Sequence, residues 1–400
     1  MNDCRVVATG VGIIAPNGIG SDQYWHALLS ERSGLSVAGS EDCAYPTTTE
    51  AGNVHAFDVT HSVPSRLRSQ TDRSTQFALT AAADALQDAS VVTSELDEYG
   101  MSVVTSTSLG GLAFTHNELR KLKAEGPNRV SAYASFAWFY AVNTGQISIR
   151  NGMRGPSRAL VTGQAGGLDA IGEGRRIIRK GTGFALAGGI DSAVDSLGWA
   201  VYDSAGDLSS SGYRPFEQDA GGFVPGEGGA FFALEEVVSA RKRGARIYGE
   251  IAGYAATFDP GPGSARPPSL KRAIALALED AKISPGDVGV VFADAAGTKE
   301  SDDAEKDVLR ELFGNRGVPV AVPKLLTGRL FAGAGALDVA VALLCVYHQC
   351  VPGVSSLREY DSDIDFVNRT RHLNLHNALV ISRGRWGFNS AVVVQRVGTT

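Results

Sequence analysis

A run of ten residues, Val161 to Ala170 (VTGQAGGLDA), has the form that usually presents a nucleophile. A buried strand end, a glycine turn and the first turn of a helix lift one side chain, and the helix amides stabilise an anion beside it. The side chain presented is Gln164, a carboxamide with no nucleophilic electron pair and no useful pKa. Other candidates for chemistry are weaker. GTGFALAGG lacks the G-x-G-x-x-G spacing and sits in a strand pattern, and no G-x-x-x-x-G-K-[ST] is present. His372 and His376 are four apart, but RHLNLHNALVIS alternates like a strand, so surface or packing histidines are expected rather than metal ligands. No Ser–His–Asp set assembles from spacing. Neither a metal nor a cofactor is expected.

These residues sit in a chain of 400 residues, long enough for one large core or two packed halves. Hydrophobic residues make up 44% and charged residues 20%, which is globular and not disordered. A net charge of −6 argues against a general nucleic-acid partner, because neutralising phosphates needs a basic surface. Cys4, Cys43, Cys345 and Cys350 show no metal-type pairing, and the last two lie in or beside an apolar run where reduced core thiols are expected. The start, MNDCRVVATG, has no signal pattern, and no run of about 18 apolar residues appears. A soluble, cytoplasmic protein with no membrane partner is expected.

The elements that must position Gln164 alternate between strand and helix. RVVATGVGIIAP predicts a strand, and SDQYWHALLSERSG a helix capped by Ser21 and stopped at Gly34. RSTQFALTAAADALQDA is helical, with Leu79, Ala83 and Leu86 on one face. MSVVTSTS and SRALVT are strands, the second running into the opening motif, whose helix carries Leu168, Ile171 and Ile178. GFALAGGID and GGAFFALEEV are further strands. From Ile247 the pattern starts again, with RIYGEIAGYAAT and VGVVFADAAGT as strands around a helical SLKRAIALALEDA. GALDVAVALLCVYHQ is apolar nearly all round and predicts a buried helix, and SAVVVQRV a last strand. The class is α/β, with buried parallel-type runs in both halves. DPGPGSARPP reads as a surface loop.

RVVATGVGIIAPNG, GPSRALVTGQAGGLDA, GGFVPGEGGAFFALEE, DAAGT and PKLLTGRLFAGAGALDVA occur in the order found in the β-ketoacyl synthases, and the resemblance covers almost the whole chain. It implies the thiolase-like fold, two pseudo-duplicated αβαβα halves in one five-layered unit, here residues 1–246 and 247–400. In that family the turn carries an acylated cysteine, and two histidines support decarboxylation and condensation. The matching positions here are Gln164, Ala296 and Arg329, with the family's lysine kept as Lys324. Gln164 cannot form a thioester, Ala296 cannot move a proton, and Arg329 stays charged at working pH.

With all three catalytic groups gone, the chain resembles the chain length factor, or ketosynthase β-subunit, of type II aromatic polyketide synthases. The resemblance implies a subunit inactive alone, paired as a heterodimer with a cysteine-bearing ketosynthase α-subunit that extends malonyl-derived chains on an acyl carrier protein. An alternative is a decarboxylating, priming ketosynthase that acts on a malonyl carrier protein through Gln164. Gln164 is otherwise expected to accept from the amides of its own helix, and Arg329 to fill the space of an imidazole and pair with a carboxylate or carbonyl. The resemblance puts the far end of the acyl tunnel on SLGGLAFTHNELRK. On a helix starting near Gly111, Leu112, Thr115 and Leu119 share one face and Phe114 points off it. The aromatic run with Tyr133, Phe136, Trp138, Phe139 and Tyr140 is the expected partner contact.

Overall fold

Small and β-branched residues fill Val6–Ala15, and all of them are buried, so this stretch is a strand covered on both faces (β1). After it come α1 (Arg73–Asp88), β2 (Met101–Ser106), α2 (Leu112–Glu125), β3 (Arg158–Leu160), α3 (Gly166–Arg179), β4 (Phe184–Asp191) and β5 (Gly228–Glu236). The pattern then repeats with β6 (Gly249–Phe258), α4 (Leu270–Asp280), β7 (Val290–Phe292), α5 (Lys299–Phe313), β8 (Pro319–Ala321), α6 (Ala332–His348), β9 (Asp365–Phe366), β10 (Asn377–Gly384) and β11 (Phe388–Gln395). The computed structural model describes residues 4–37, 50–137, 139–192, 194–206, 208–261, 263–357 and 363–398. The helix Ser21–Leu29 starts one residue earlier than Ser21 capping requires: Gly20, at φ 82, holds the N-cap and has no side chain to offer.

The strands join in the order β9-β8-β7-β10-β11-β6-β1-β5-β4-β2-β3. From the centre outward each half has the same sequence of pairings: antiparallel twice, then parallel. The halves meet where β1 pairs antiparallel with β6, Ala8 opposite Gly249. α3 and α6 pack together between the two half-sheets, α1 covers β1 and β5, and α4 covers β6 and β11. The result is the five-layered thiolase-like arrangement. α6 explains itself: Ala332 to Val346 are all buried, so no polar face is possible. The two central helices touch closely, because a side chain at Gly167 would sit 2.3 Å from the carbonyl oxygen of Ala332. The two halves therefore place equivalent strand-to-helix junctions, β3–α3 and β8–α6, at one point between the sheets.

Candidate functional site

At the β3–α3 junction Gly163 takes φ 57, and a 3-10 turn over Gly163–Ala165 carries Gln164 before α3 begins. Gln164 is half-buried. Its Oε1 accepts from the backbone amide of Arg385 at 3.0 Å, and its backbone oxygen accepts from Ser382 Oγ at 2.9 Å. The expected bonds to its own helix amides are not the ones formed. The end of β10 crosses the turn and supplies the donor instead. One turn further on, buried Asp169 gathers Thr162 Oγ1 at 2.6 Å, Tyr254 OH at 2.9 Å and Ser390 Oγ, which ties α3 to β6 and β11. Burial raises the Asp169 carboxyl above its ordinary value.

At the other junction Arg329 is buried, and its partner is Asp294, at the end of the β7 segment. Nη2 donates to both carboxylate oxygens at 3.2 Å, and Nη1 to the backbone oxygens of Asp294 and Ala295 at 2.8 Å each. Lys324 Nζ donates to the backbone oxygens of Ala293 and Asp294 at 2.6 and 3.0 Å and pairs with Asp338 at 2.7 Å. Burial works against charge on Asp294, but the Arg329 guanidinium and then the Lys324 ammonium outweigh it and hold this carboxyl below its ordinary value. The same pair raises the pKa of Arg329. Ala295, at φ 49, is fixed at both ends: its N–H donates to Glu305 Oε2 at 3.0 Å, and its carbonyl accepts from Arg329 and Tyr213. This sets the position of Ala296. Glu305 is pushed up to about 7, first by burial and then by Asp294 and Asp302. Asp302, which caps Phe216 and Gly297 amides, is pushed up to about 6 by burial.

Gln164, Ala296 and Arg329 thus converge on one open cavity of about 270 Å³, with Trp386 and Phe388 also on its wall. The three family positions present a carboxamide, a methyl and a guanidinium already paired with a carboxylate, and Asp259, Thr298, Ser301, Arg383 and Asn389 complete the polar wall. The side chains at 164, 296 and 329 can hold hydrogen bonds, but none of the three is an acyl nucleophile or exchanges a proton near neutral pH. His372 and His376 lie elsewhere, both exposed.

The proposed tunnel face lies on α2. Thr115 is buried, Leu112 is half-buried against the core, and Leu119 is 47% exposed, with Leu122 at 44% beyond it. Phe114 turns aside to a small void shared with Asp72, Tyr133 and Phe136. α2 packs on the short helix Ala134–Ala137. Tyr133 is half-buried and stacked on Phe136 at 5.8 Å, while Phe136, Phe139 and Tyr140 are 43%, 61% and 42% exposed. Trp138 lies outside the described residues. Sequence reasoning missed Asp294, Asp302, Glu305 and Asp72. An acid two residues before Ala296, inside an apolar strand run, was a signal for the first, since a buried carboxylate demands a cation.

The β-ketoacyl synthase N-terminal domain family matches residues 3–240, and the β-ketoacyl synthase C-terminal domain family residues 248–358. The chain is 51% identical to the actinorhodin polyketide putative beta-ketoacyl synthase 2 of Streptomyces coelicolor, over 99% of each chain. It is 50% identical to the tetracenomycin polyketide synthase ketoacyl synthase beta subunit of Streptomyces glaucescens, over 98% of each. Among solved structures, the ishigamide ketosynthase/chain length factor superposes with a TM-score of 0.91 at 27% identity, covering 99% of this chain and 100% of that one. A type II polyketide synthase acyl-carrier protein complex with its ketosynthase bound to the hexaketide superposes with a TM-score of 0.89, also at 27% identity, covering 98% and 100%.

Proposed function

This chain belongs to the β-ketoacyl synthase family, and on that premise we propose that it is the non-catalytic β-subunit, or chain length factor, of a type II polyketide synthase. It pairs with an active ketosynthase α-subunit and works on chains held by an acyl carrier protein. The observation that carries this reading is the Arg329–Asp294 ion pair, which fills the former catalytic centre with a locked cation beside Gln164 and Ala296. The centre is consumed by structure, whereas apolar side chains are left open on α2 and the aromatic segment. Decarboxylation through Gln164 is not favoured: its carboxamide oxygen is engaged by Arg385, and neither Ala296 nor Arg329 has a proton to give.

In this proposal Leu112, Thr115 and Leu119 line the far end of the partner's acyl tunnel, and Tyr133, Phe136, Trp138, Phe139 and Tyr140 form the partner contact. Residues 1–246 and 247–400 form the two halves, each with one copy of the strand pattern. Cys345 and Cys350 are buried and free, which accords with a reducing, cytoplasmic setting. Among the described residues no helix is long and apolar enough to cross a membrane. The test is reconstitution with the ketosynthase, carrier protein and a malonyl donor. Leu112→Trp and Leu119→Trp each add a ring to a close-packed wall and should remove about one or two two-carbon extensions at near-parent turnover. Phe114→Leu, off that face, should leave length alone. Parent-length product from both tryptophan variants at normal yield would defeat the tunnel assignment. Carbon dioxide released from malonyl carrier protein by the purified chain alone would revive the decarboxylase.

A further inference from the structure

The helix that carries the proposed tunnel face does not cap itself. Its N-cap is Gly111, which has no side chain to bond the free amides of the first turn. The missing acceptor comes from 42 residues away. Asp72 is 5% exposed; its Oδ2 accepts from the Phe114 amide at 2.9 Å. Its other oxygen, Oδ1, caps α1 by accepting from the Ser74 amide and Ser74 Oγ, both at 2.8 Å. One buried carboxylate thus caps two helices, and it anchors α2 to α1, which packs on β1 and β5. The contact is tight. A side chain on Gly111 would meet Asp72 Cβ at 2.9 Å and Ala137 Cα at 3.1 Å. The same unit reaches the aromatic segment: the Gly111 amide donates to the Ala137 oxygen at 3.1 Å, and Glu118 Oε2 accepts from the Ser131 amide at 2.6 Å.

We infer that Asp72 is a positioning residue for chain length: it sets where the Leu112–Thr115–Leu119 face stands relative to the aromatic partner contact. This rests on the tunnel reading above. Asp72 is not on the wall of the cavity at Gln164, and its carboxylate meets α2 at the Phe114 amide, so it acts on the tunnel face through α2. Its effect is on where the tunnel ends and not on how fast the partner condenses. Small displacements matter there, because a two-carbon extension is a step of about 2.5 Å of extended chain and a packed wall does not deform smoothly.

The experiment uses the reconstituted heterodimer and reads product masses against malonyl consumption. In Asp72→Asn one oxygen is replaced by a donor, so one of the two caps is lost. Products one extension longer or shorter should rise about fivefold relative to the parent product, the scale of one lost cap, with consumption within about twofold. Gly111→Ala keeps the carboxylate but forces it and Ala137 apart, and should move the same ratio; it carries the test if Asp72→Asn fails to assemble. Asp58→Ala removes the cap of the exposed turn Val59–Ser62 and should leave the ratio at the parent value. An unchanged ratio in an assembled Asp72→Asn or Gly111→Ala heterodimer overturns the inference, as does lowered consumption with an unchanged ratio. If Leu119→Trp shortens the product while Asp72→Asn does not, the tunnel stands and only the positioning role falls. If Leu112→Trp, Leu119→Trp and Asp72→Asn all leave it at the parent value, the tunnel reading itself has failed.

Discussion

Two regions of this chain treat their side chains in opposite ways. Around Gln164 and Arg329 nearly every polar group is engaged inside the molecule. The guanidinium, the Lys324 ammonium and the carboxylates of Asp294, Asp302, Glu305 and Asp338 form one buried network. Along α2 and the described aromatic residues after it the reverse holds, and Leu119, Leu122, Phe136, Phe139 and Tyr140 stand open to solvent. A catalytic centre needs groups left under-satisfied so that they can act on substrate, while a binding face needs apolar area left uncovered. In the function proposed above, the work of this subunit lies at the second region, and the first is a structural keystone between the half-sheets.

The comparison breaks most visibly if the keystone is removed. Arg329→Ala strands the Asp294 carboxylate beside Glu305 and Asp302, and should lower unfolding free energy by about 3–5 kcal/mol in urea titration. A loss under about 1 kcal/mol, no more than a solvent-exposed ion pair contributes, would mean that the pair is not structural. The open region should show the converse. Phe136→Asp with Phe139→Asp should barely change the stability of the single chain but cost at least about 2 kcal/mol of assembly, about a 30-fold weaker Kd for the ketosynthase. Light scattering after size exclusion reads it directly, and an intact heterodimer at low concentration would move the contact elsewhere.

The regions should also differ in pH response. Glu305 is held at about 7 and Asp302 at about 6, each chiefly by burial, against ordinary values of 4.5 and 3.8. Between those limits these carboxyls hold more protons in the folded chain than in the unfolded one, so their contribution to stability is full below about pH 4 and falls as pH rises through 6 to 7, opposite in sign to that of Asp294. Thermal unfolding should lose on the order of 1–3 kcal/mol between about pH 5 and 8, and Glu305→Gln should flatten the upper part of that slope. A rising slope would show that the cluster is fully ionised when folded. The smallest effect expected is at Gln164. With one bond from a half-exposed carboxamide oxygen to Arg385, Gln164→Ala should cost about 1 kcal/mol or less, with condensation by the partner retained. Full rescue of a defective Gln164→Ala complex by acetyl carrier protein, at unchanged stability, would instead give Gln164 a priming role.

Much of this was legible in the residues themselves. The strands at Val6, Phe184, Gly228 and Phe388 and the buried helix from Ala332 follow from unbroken apolar runs, because periodicity is a local property. The loss of thiol and imidazoles at 164, 296 and 329 was equally plain, since a side chain's chemistry belongs to its identity. Ser21 was misjudged as a cap because capping depends on a one-residue choice of where φ turns, and Gly20 takes the left-handed conformation more cheaply. The donor to Gln164 was misplaced because the end of β10 lies more than 200 residues away in the chain.

What the sequence determined alone was therefore the inventory: which segments are strands or helices, which chemistry is absent, and where apolar side chains are dense. What only the tertiary structure decided was partnership. Arg329 meets Asp294 across 35 residues, Asp72 meets Phe114 across 42, and Leu119 rather than Leu112 is the residue left open. Sequence periodicity reports which face of an element is apolar. It takes the packing of both half-sheets around α3 and α6 to decide which charged groups are brought together and which apolar face the chain leaves uncovered.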